Sequence, residues 1–202
     1  FERSSELLRL SLIMFRVVVT IVFCAAHFAQ GDPLGYYWRD FDGSIPPDAY
    51  PGGLDVRNQS IYIGQVYATY LIPAKIYQND STAYHEYGGK EFGVKENIMI
   101  LCTEQPELFE WIKTDNDHIH EITDKYLVKG GYEPGCTTYI GRVLIRGELS
   151  IGKALADNSP QHAGLHVTRN GRGFRFSSFE VLSFSPNPRD LIDVRYKAPK
   201  VQ

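Results

Sequence analysis

The fold is decided by Gly52-Gly53-Leu54-Asp55, Ile61-Tyr62-Ile63-Gly64 and Leu71-Ile72-Pro73-Ala74-Lys75, because the chain writes this series twice. The second writing is Gly130-Gly131-Tyr132-Glu133, Thr138-Tyr139-Ile140-Gly141 and Leu149-Ser150-Ile151-Gly152-Lys153. A tryptophan opens each copy, Trp38 and Trp111. Each then passes a histidine, His85 and His166, and a glycine turn with an aromatic, Gly89-Lys90-Glu91-Phe92 and Gly171-Arg172-Gly173-Phe174. Each closes on an apolar run, Ile98-Met99-Ile100-Leu101 and Phe179-Glu180-Val181-Leu182. Shared landmarks in the same order are the signature of an internal repeat. The apolar runs are short and bounded by turn residues, which is the spacing of a β meander. The fold class is therefore all-β, with two tandem pseudo-symmetric antiparallel β repeats at 37–103 and 111–184. Between them, at 104–110, an early proline and the absence of glycine predict one helical turn acting as a linker.

A duplicated β unit can exist only to bury one face of each copy against the other. Here each copy also repeats a carboxylate and a lysine, Asp55 with Lys75 and Glu133 with Lys153, and a hydrophobic core has no use for charges. Two carboxylate oxygens accept hydrogen bonds from neighbouring hydroxyls, an ammonium donates three, and the charge strengthens both. Together they can read a diol. Aromatics such as Trp38, Tyr62 and Tyr139 could support the apolar face of a sugar, although strand aromatics more often belong to the core.

Thirteen tyrosines, eleven phenylalanines and eighteen glycines in 202 residues agree with short strands and tight turns. The formal net charge of −3, with no basic stripe, excludes a nucleic-acid footprint. Only the first thirty or so residues read differently: Arg16 precedes the apolar Val17–Ala26 and the small residues Ala29 and Gly31. That is signal-peptide grammar, with Met14 where translation would begin and an upstream extension before it, so 1–31 is read as leader and the protein as secreted. The apolar run is shorter than the roughly 20 residues a spanning helix needs, so no membrane insertion is expected.

An oxidising compartment would permit a disulfide between Cys102 and Cys136; two small buried apolar residues is the alternative. Asn58-Gln-Ser60 and Asn79-Asp-Ser81 are N-glycosylation sequons, which belong in exposed loops. His118-Ile119-His120 would place two imidazoles on one strand face, yet no third metal ligand follows at a recognisable spacing. The expectation is no metal and no cofactor. A nucleophile elbow and a phosphate loop are both missing, and an enzyme is not expected. The segment 185–202 reads as a loosely ordered tail.

The string Trp38, Asp42-Gly43-Ser44-Ile45-Pro46-Pro47-Asp48-Ala49, Gly52-Gly53-Leu54-Asp55, Ile61-Tyr62-Ile63-Gly64, Pro73-Ala74-Lys75, Tyr87-Gly88-Gly89-Lys90-Glu91 resembles the first unit of the DM-nine repeat family. The resemblance implies a compact antiparallel structure whose halves exchange strands. It also implies glycans as partners, mannose-type sugars above all, recognised without a metal; clustering of such weak sites, within one chain or in a homodimer, would raise avidity. In the family's lectins the acid after the Gly-Gly turn and the lysine ending the third run hold the sugar. Carried over, these are Asp55 and Lys75 in copy one and Glu133 and Lys153 in copy two. Asp55 and Lys75 should then face one solvent-open groove. Two departures bear on this: Ala74 stands where the family has glycine, and Glu133 is one methylene longer than aspartate. The rival reading is a structural or protein-interaction module that binds no sugar, which a tight Asp55–Lys75 ion pair would favour.

Overall fold

A computed structural model describes residues 35–156 and 162–185. The proposed leader and all of the tail but Ser185 lie outside the described residues. The strands of the first half are β1 (Tyr37–Asp40), β2 (Pro51–Leu54), β3 (Ser60–Tyr67), β4 (Leu71–Tyr77), β5 (Ala83–Tyr87), β6 (Lys90–Val94) and β7 (Ile98–Cys102). Those of the second are β8 (Phe109–Asp115), β9 (Tyr126–Leu127), β10 (Lys129–Glu133), β11 (Cys136–Ile145), β12 (Glu148–Leu155), β13 (Gly164–Arg169), β14 (Arg172–Phe176) and β15 (Ser178–Phe184). Among the described residues there is no α-helix. Two 3-10 turns occur, one at Pro106–Leu108, inside the stretch read as a helical linker, and one at Ile119–Glu121. The second turn corrects the reading of His118-Ile119-His120 as a strand.

The strands form a single sheet in the order β1-β7-β3-β2-β12-β13-β14-β6-β5-β4-β10-β11-β15-β8, with the short β9 paired to β15 off this path. Exchanging β1 with β8, β2 with β10, β3 with β11, β4 with β12, β5 with β13, β6 with β14 and β7 with β15 returns the same order reversed. The halves meet through β2 on β12, β10 on β4 and β6 on β14. Because β3 also pairs with β4, and β11 with β12, the strands β3, β2, β12, β11, β10 and β4 close into a ring. A closed ring leaves no unpaired edge at the junction.

The Gly-Gly pairs make that junction possible. A Cβ on Gly53 would sit 2.1 Å from the Leu149 carbonyl oxygen of β12, and one on Gly131 would sit 1.9 Å from that of Leu71 on β4. Only a residue without a side chain lets the backbones of the two halves approach this closely. Each crossing is pinned reciprocally. Gln65 Nε2 donates to the Gly130 carbonyl at 2.9 Å, and Arg142 Nη1 donates to the Gly52 carbonyl at 3.3 Å.

Three apolar clusters fill the interior. One, with Val66, Ile72, Ile76, Ile98 and Ile100, belongs to the first half. Another, with Ile119, Leu165, Val167, Phe179 and Val181, belongs to the second. The third joins Ile61, Ile63 and Leu101 to Val128, Ile140, Ile151 and Leu182 across the halves. Each fully buried isoleucine contributes about 1.5–3 kcal/mol, so this shared cluster binds the halves into one cooperative body.

Cys102 and Cys136 are not joined by a disulfide. Cys102 is buried in the first-half cluster, where burial pushes its thiol up to about 12, while Cys136 lines a cavity described below. Asn58 and Asn79 both lie in exposed turns.

Candidate functional site

The four charged residues singled out by the repeat do not form two equivalent sites. Lys75 on β4 has no solvent exposure at all. Its ammonium reaches Glu148 Oε1 at 2.9 Å, Ser150 Oγ at 3.2 Å and the Thr168 carbonyl at 2.6 Å, with Glu91 Oε2 at 3.9 Å. Glu148, equally buried, also takes the Tyr77 hydroxyl at 3.0 Å and is paired with Arg169. Burial pulls the Lys75 ammonium down to about 8, against the nearby charge of Glu91, which raises it. The Asp55 carboxylate does something else: it accepts from the backbone N–H groups of Arg57 and Gln59, both at 2.8 Å, and shapes the β2–β3 turn. Asp55 and Lys75 therefore do not share a solvent-open groove. The closed arrangement is a buried ionic knot of Lys75, Glu148, Glu91 and Arg169.

The second pair does come together. Lys153 on β12 lies between two carboxylates, Glu133 of β10 and, at 2.9 Å, Glu86 Oε2 of β5. Glu86 comes from the first half, so the cluster is built by both. Its other oxygen accepts from the Gly89 N–H at 2.7 Å, which fixes it in the turn of the β5–β6 hairpin. His166 Nδ1 stands 3.7 Å from Glu86 Oε2, and its Nε2 lies 2.9 Å from the His162 carbonyl. Burial lowers the His166 pKa below the ordinary imidazole value, against the His162 hydrogen bond and the Glu86 charge, which raise it. Lys153 Nζ also lies 5.7 Å from the centre of the Tyr87 ring.

These groups line a half-open cavity of about 450 Å³, walled also by Phe174, Arg175 and Leu155. That volume lies within the range of roughly 300–1,000 Å³ in which proteins hold small ligands. Two carboxylates, an ammonium and an imidazole converging on one apolar-walled hollow can address several hydroxyls at once.

Lys153 is itself only 4% exposed, and the strand register explains why it borders a cavity while Lys75 is sealed. Lys75 pairs with Tyr84, and Lys153 pairs with His166. His166 thus occupies the place of Tyr84, not of His85, and the two histidine landmarks are one residue out of step. A one-residue step turns a side chain to the opposite face. Counted through the hairpin turns Gly88-Gly89 and Asn170-Gly171, Arg169 is the counterpart of Tyr87, and Gly173 the counterpart of Glu91. In the first half Arg169 and Glu91 fill the space over the lysine. In the second, Gly173 leaves it empty: a Cβ there would come within 2.9 Å of Glu86 Cγ.

Ala74 is not in the positive-φ region, and nor is Gly152. The departure from glycine at Ala74 therefore costs no backbone strain. Glu86 and the roles of Tyr87 and His166 at the site were not singled out from the sequence. The Gly88-Gly89 dipeptide was the usable signal, since it fixes a two-residue hairpin and hence the register of the strand before it. Among the described residues no group of three or more His, Cys, Asp or Glu side chains could hold a metal ion. No helix there is long and apolar enough to cross a membrane.

The family model described as the DM9 repeat matches residues 65–159, a span that contains Lys75, Glu86, Glu133 and Lys153 but not Asp55. No curated protein matches the chain. Among solved structures, the crystal structure of the nematode sperm cell motility protein MFP2B is similar, with a TM-score of 0.55 and 15% identity. The likeness covers 76% of this chain and 47% of that one, so the chain spans about half the length of this structural relative. At that identity the likeness is one of fold.

Proposed function

We propose, from the match of residues 65–159 to the DM9 repeat model, that this chain is a secreted, metal-independent carbohydrate-binding protein of the mannose type, without catalytic activity. The DM9 repeat is a domain known from carbohydrate-binding proteins. The observation that carries the reading is the cavity of about 450 Å³ in which Glu133 and Lys153 meet Glu86 and His166. Sugar hydroxyls approach this cluster as replacements for water, donating to carboxylate oxygens of Glu133 and Glu86 and accepting from the ammonium, while Tyr87 and Phe174 flank the ring. Because the lysine and both acids already hold one another, they are oriented before the sugar arrives, which limits the ordering cost of binding. Glycan recognition in innate immunity is the process this activity would serve.

In this account each chain presents one such site, because the Lys75 position is sealed. Avidity toward a glycan-bearing surface would then come from association of chains, for example as a homodimer, which multiplies apparent affinity by about 10² to 10⁴ without new contacts. The buried knot at Lys75 favours a second reading for the first half, that of a structural module whose charges hold the halves together.

The test is a glycan array and a mannose titration of the protein beside Lys153→Ala, Glu133→Ala and Asp55→Ala variants. Mannose binding is expected to be lost with Lys153→Ala and Glu133→Ala, and to survive Asp55→Ala. Binding of no glycan at all would leave the structural module as the better account.

A further inference from the structure

The two halves supply an internal comparison at their tryptophans. Strand register makes Trp111 and Trp38 equivalent, since Trp111 pairs with Leu182 on β15 and Trp38 with Leu101 on β7. It likewise matches the cross-strand pair Arg142–Glu180 to the pair Gln65–Met99. In the second half Arg142 lies over the Trp111 ring, 4.1 Å from its centre, and is held there by Glu180 at 2.6 Å. The indole is roofed by the protein's own guanidinium. In the first half both roofing residues are replaced. Gln65 keeps the anchoring bond to the opposite Gly-Gly carbonyl but brings no guanidinium, and Met99 brings no carboxylate.

A groove of about 420 Å³ lies there, lined by Trp38, Gln65, Met99, Leu71, Tyr132 and Lys129. Tyr132 is half exposed, at 50%. The exposed Lys129 ammonium has no ion pair among the described residues. A cation is the wrong occupant: the carboxylate that would hold it over the indole is a methionine here, and Lys129 would repel it. The complementary ligand has an apolar face to lie on the indole and tyrosine rings and an anionic group for Lys129. A pyranose ring bearing a carboxylate meets both requirements, its axial C–H face on the aromatics and its charge on the ammonium.

We propose that the groove over Trp38 is a second saccharide subsite, selective for an acidic sugar of the hexuronate class and separate from the Lys153 cavity. It does not depend on the reading of that cavity. The test uses trigalacturonate and, as its uncharged counterpart, galactotriose. Binding is followed by the fluorescence of Trp38 in a Trp111→Phe variant and by saturation-transfer NMR on the unaltered chain.

Trigalacturonate is expected to bind and galactotriose to bind far more weakly, with Lys129→Gln reducing trigalacturonate affinity about tenfold, as loss of one charge-assisted contact does. Gln65→Arg together with Met99→Glu rebuilds over Trp38 the roof that covers Trp111, and it should abolish the response while leaving mannose binding untouched. Lys153→Ala should do the reverse. Four outcomes would overturn the proposal: equal binding of galactotriose, binding that survives the rebuilt roof, loss in Lys153→Ala alone, or no saturation transfer at millimolar trigalacturonate.

Discussion

Replacing Glu148 by glutamine keeps the shape of the side chain and removes one charge from the centre of the buried knot. The carboxylate contacts Lys75 at 2.9 Å, the Tyr77 hydroxyl at 3.0 Å and Arg169, with no solvent exposure. After the change two cations face only Glu91, whose nearest oxygen is 3.9 Å from the Lys75 ammonium. Breaking a buried ion pair by removing one partner costs about 3–5 kcal/mol, because the surviving charge is left uncompensated. For a body of this size that lowers the Tm by roughly 6–20 °C. Removing both charges with Lys75→Met and Glu148→Leu should cost less than the two single changes together, by about 1–3 kcal/mol. Glu110→Gln serves as the control. It breaks an exposed pair with Lys125 at 3.0 Å and should leave stability nearly unchanged, because solvent screens such pairs. Thermal and urea unfolding of the five variants (Glu148→Gln, Lys75→Met, Glu148→Leu, the double change and Glu110→Gln) measures all of this. A Glu148→Gln loss no larger than that of Glu110→Gln, or strict additivity of the double variant, would refute the knot as the element that holds the halves.

Three further outcomes follow from the geometry. Gly53→Ala and Gly131→Ala each drive a Cβ to within 2.1 Å of a backbone carbonyl on the opposite half, and each should cost about 1–3 kcal/mol or more in urea unfolding. Lys153→Ala removes the cation between Glu86 and Glu133 and should abolish mannose binding, whereas Glu148→Gln, outside the cavity lining, should leave it intact, which separates the functional lysine from the structural knot. His85 and His166 both have pKa values lowered by burial, so the unfolded chain takes up protons near pH 6.5 that the folded chain does not. The stability they hold is complete above about pH 6.5 and is lost as the pH falls below it toward their depressed folded values. A Tm series from pH 7.5 to 5 should therefore decline, and His85→Gln with His166→Gln should flatten it.

Much of the fold was legible in the sequence because its determinants are local. Gly88-Gly89 and Asn170-Gly171 specify two-residue hairpins, and both residues of each turn do take positive φ. The Gly-Gly pairs were visible as landmarks, but their purpose, the approach of one half's backbone to the other's, is a contact between residues far apart in sequence, Gly53 with Leu149 and Gly131 with Leu71. The site was half legible. Glu133 and Lys153 converge, yet Glu86 reaches them from the other half, and no spacing within one copy records that. Lys75 matches Lys153 in its surroundings and differs in fate because Arg169 and Glu91, distant in sequence, stand where Tyr87 and Gly173 stand in the other half. The histidine alignment failed for a related reason: similarity of residue type tolerates a slip of one, and strand pairing does not.

The most direct test of the central claim is a crystal structure of the protein soaked with mannose. The account predicts a sugar ring in the cavity between Tyr87 and Phe174, with hydroxyls within hydrogen-bond reach of Lys153, Glu133 and Glu86 and nothing bound at Lys75. A sugar seated against Asp55, or an empty Lys153 cavity in a protein that binds mannose in solution, would contradict it.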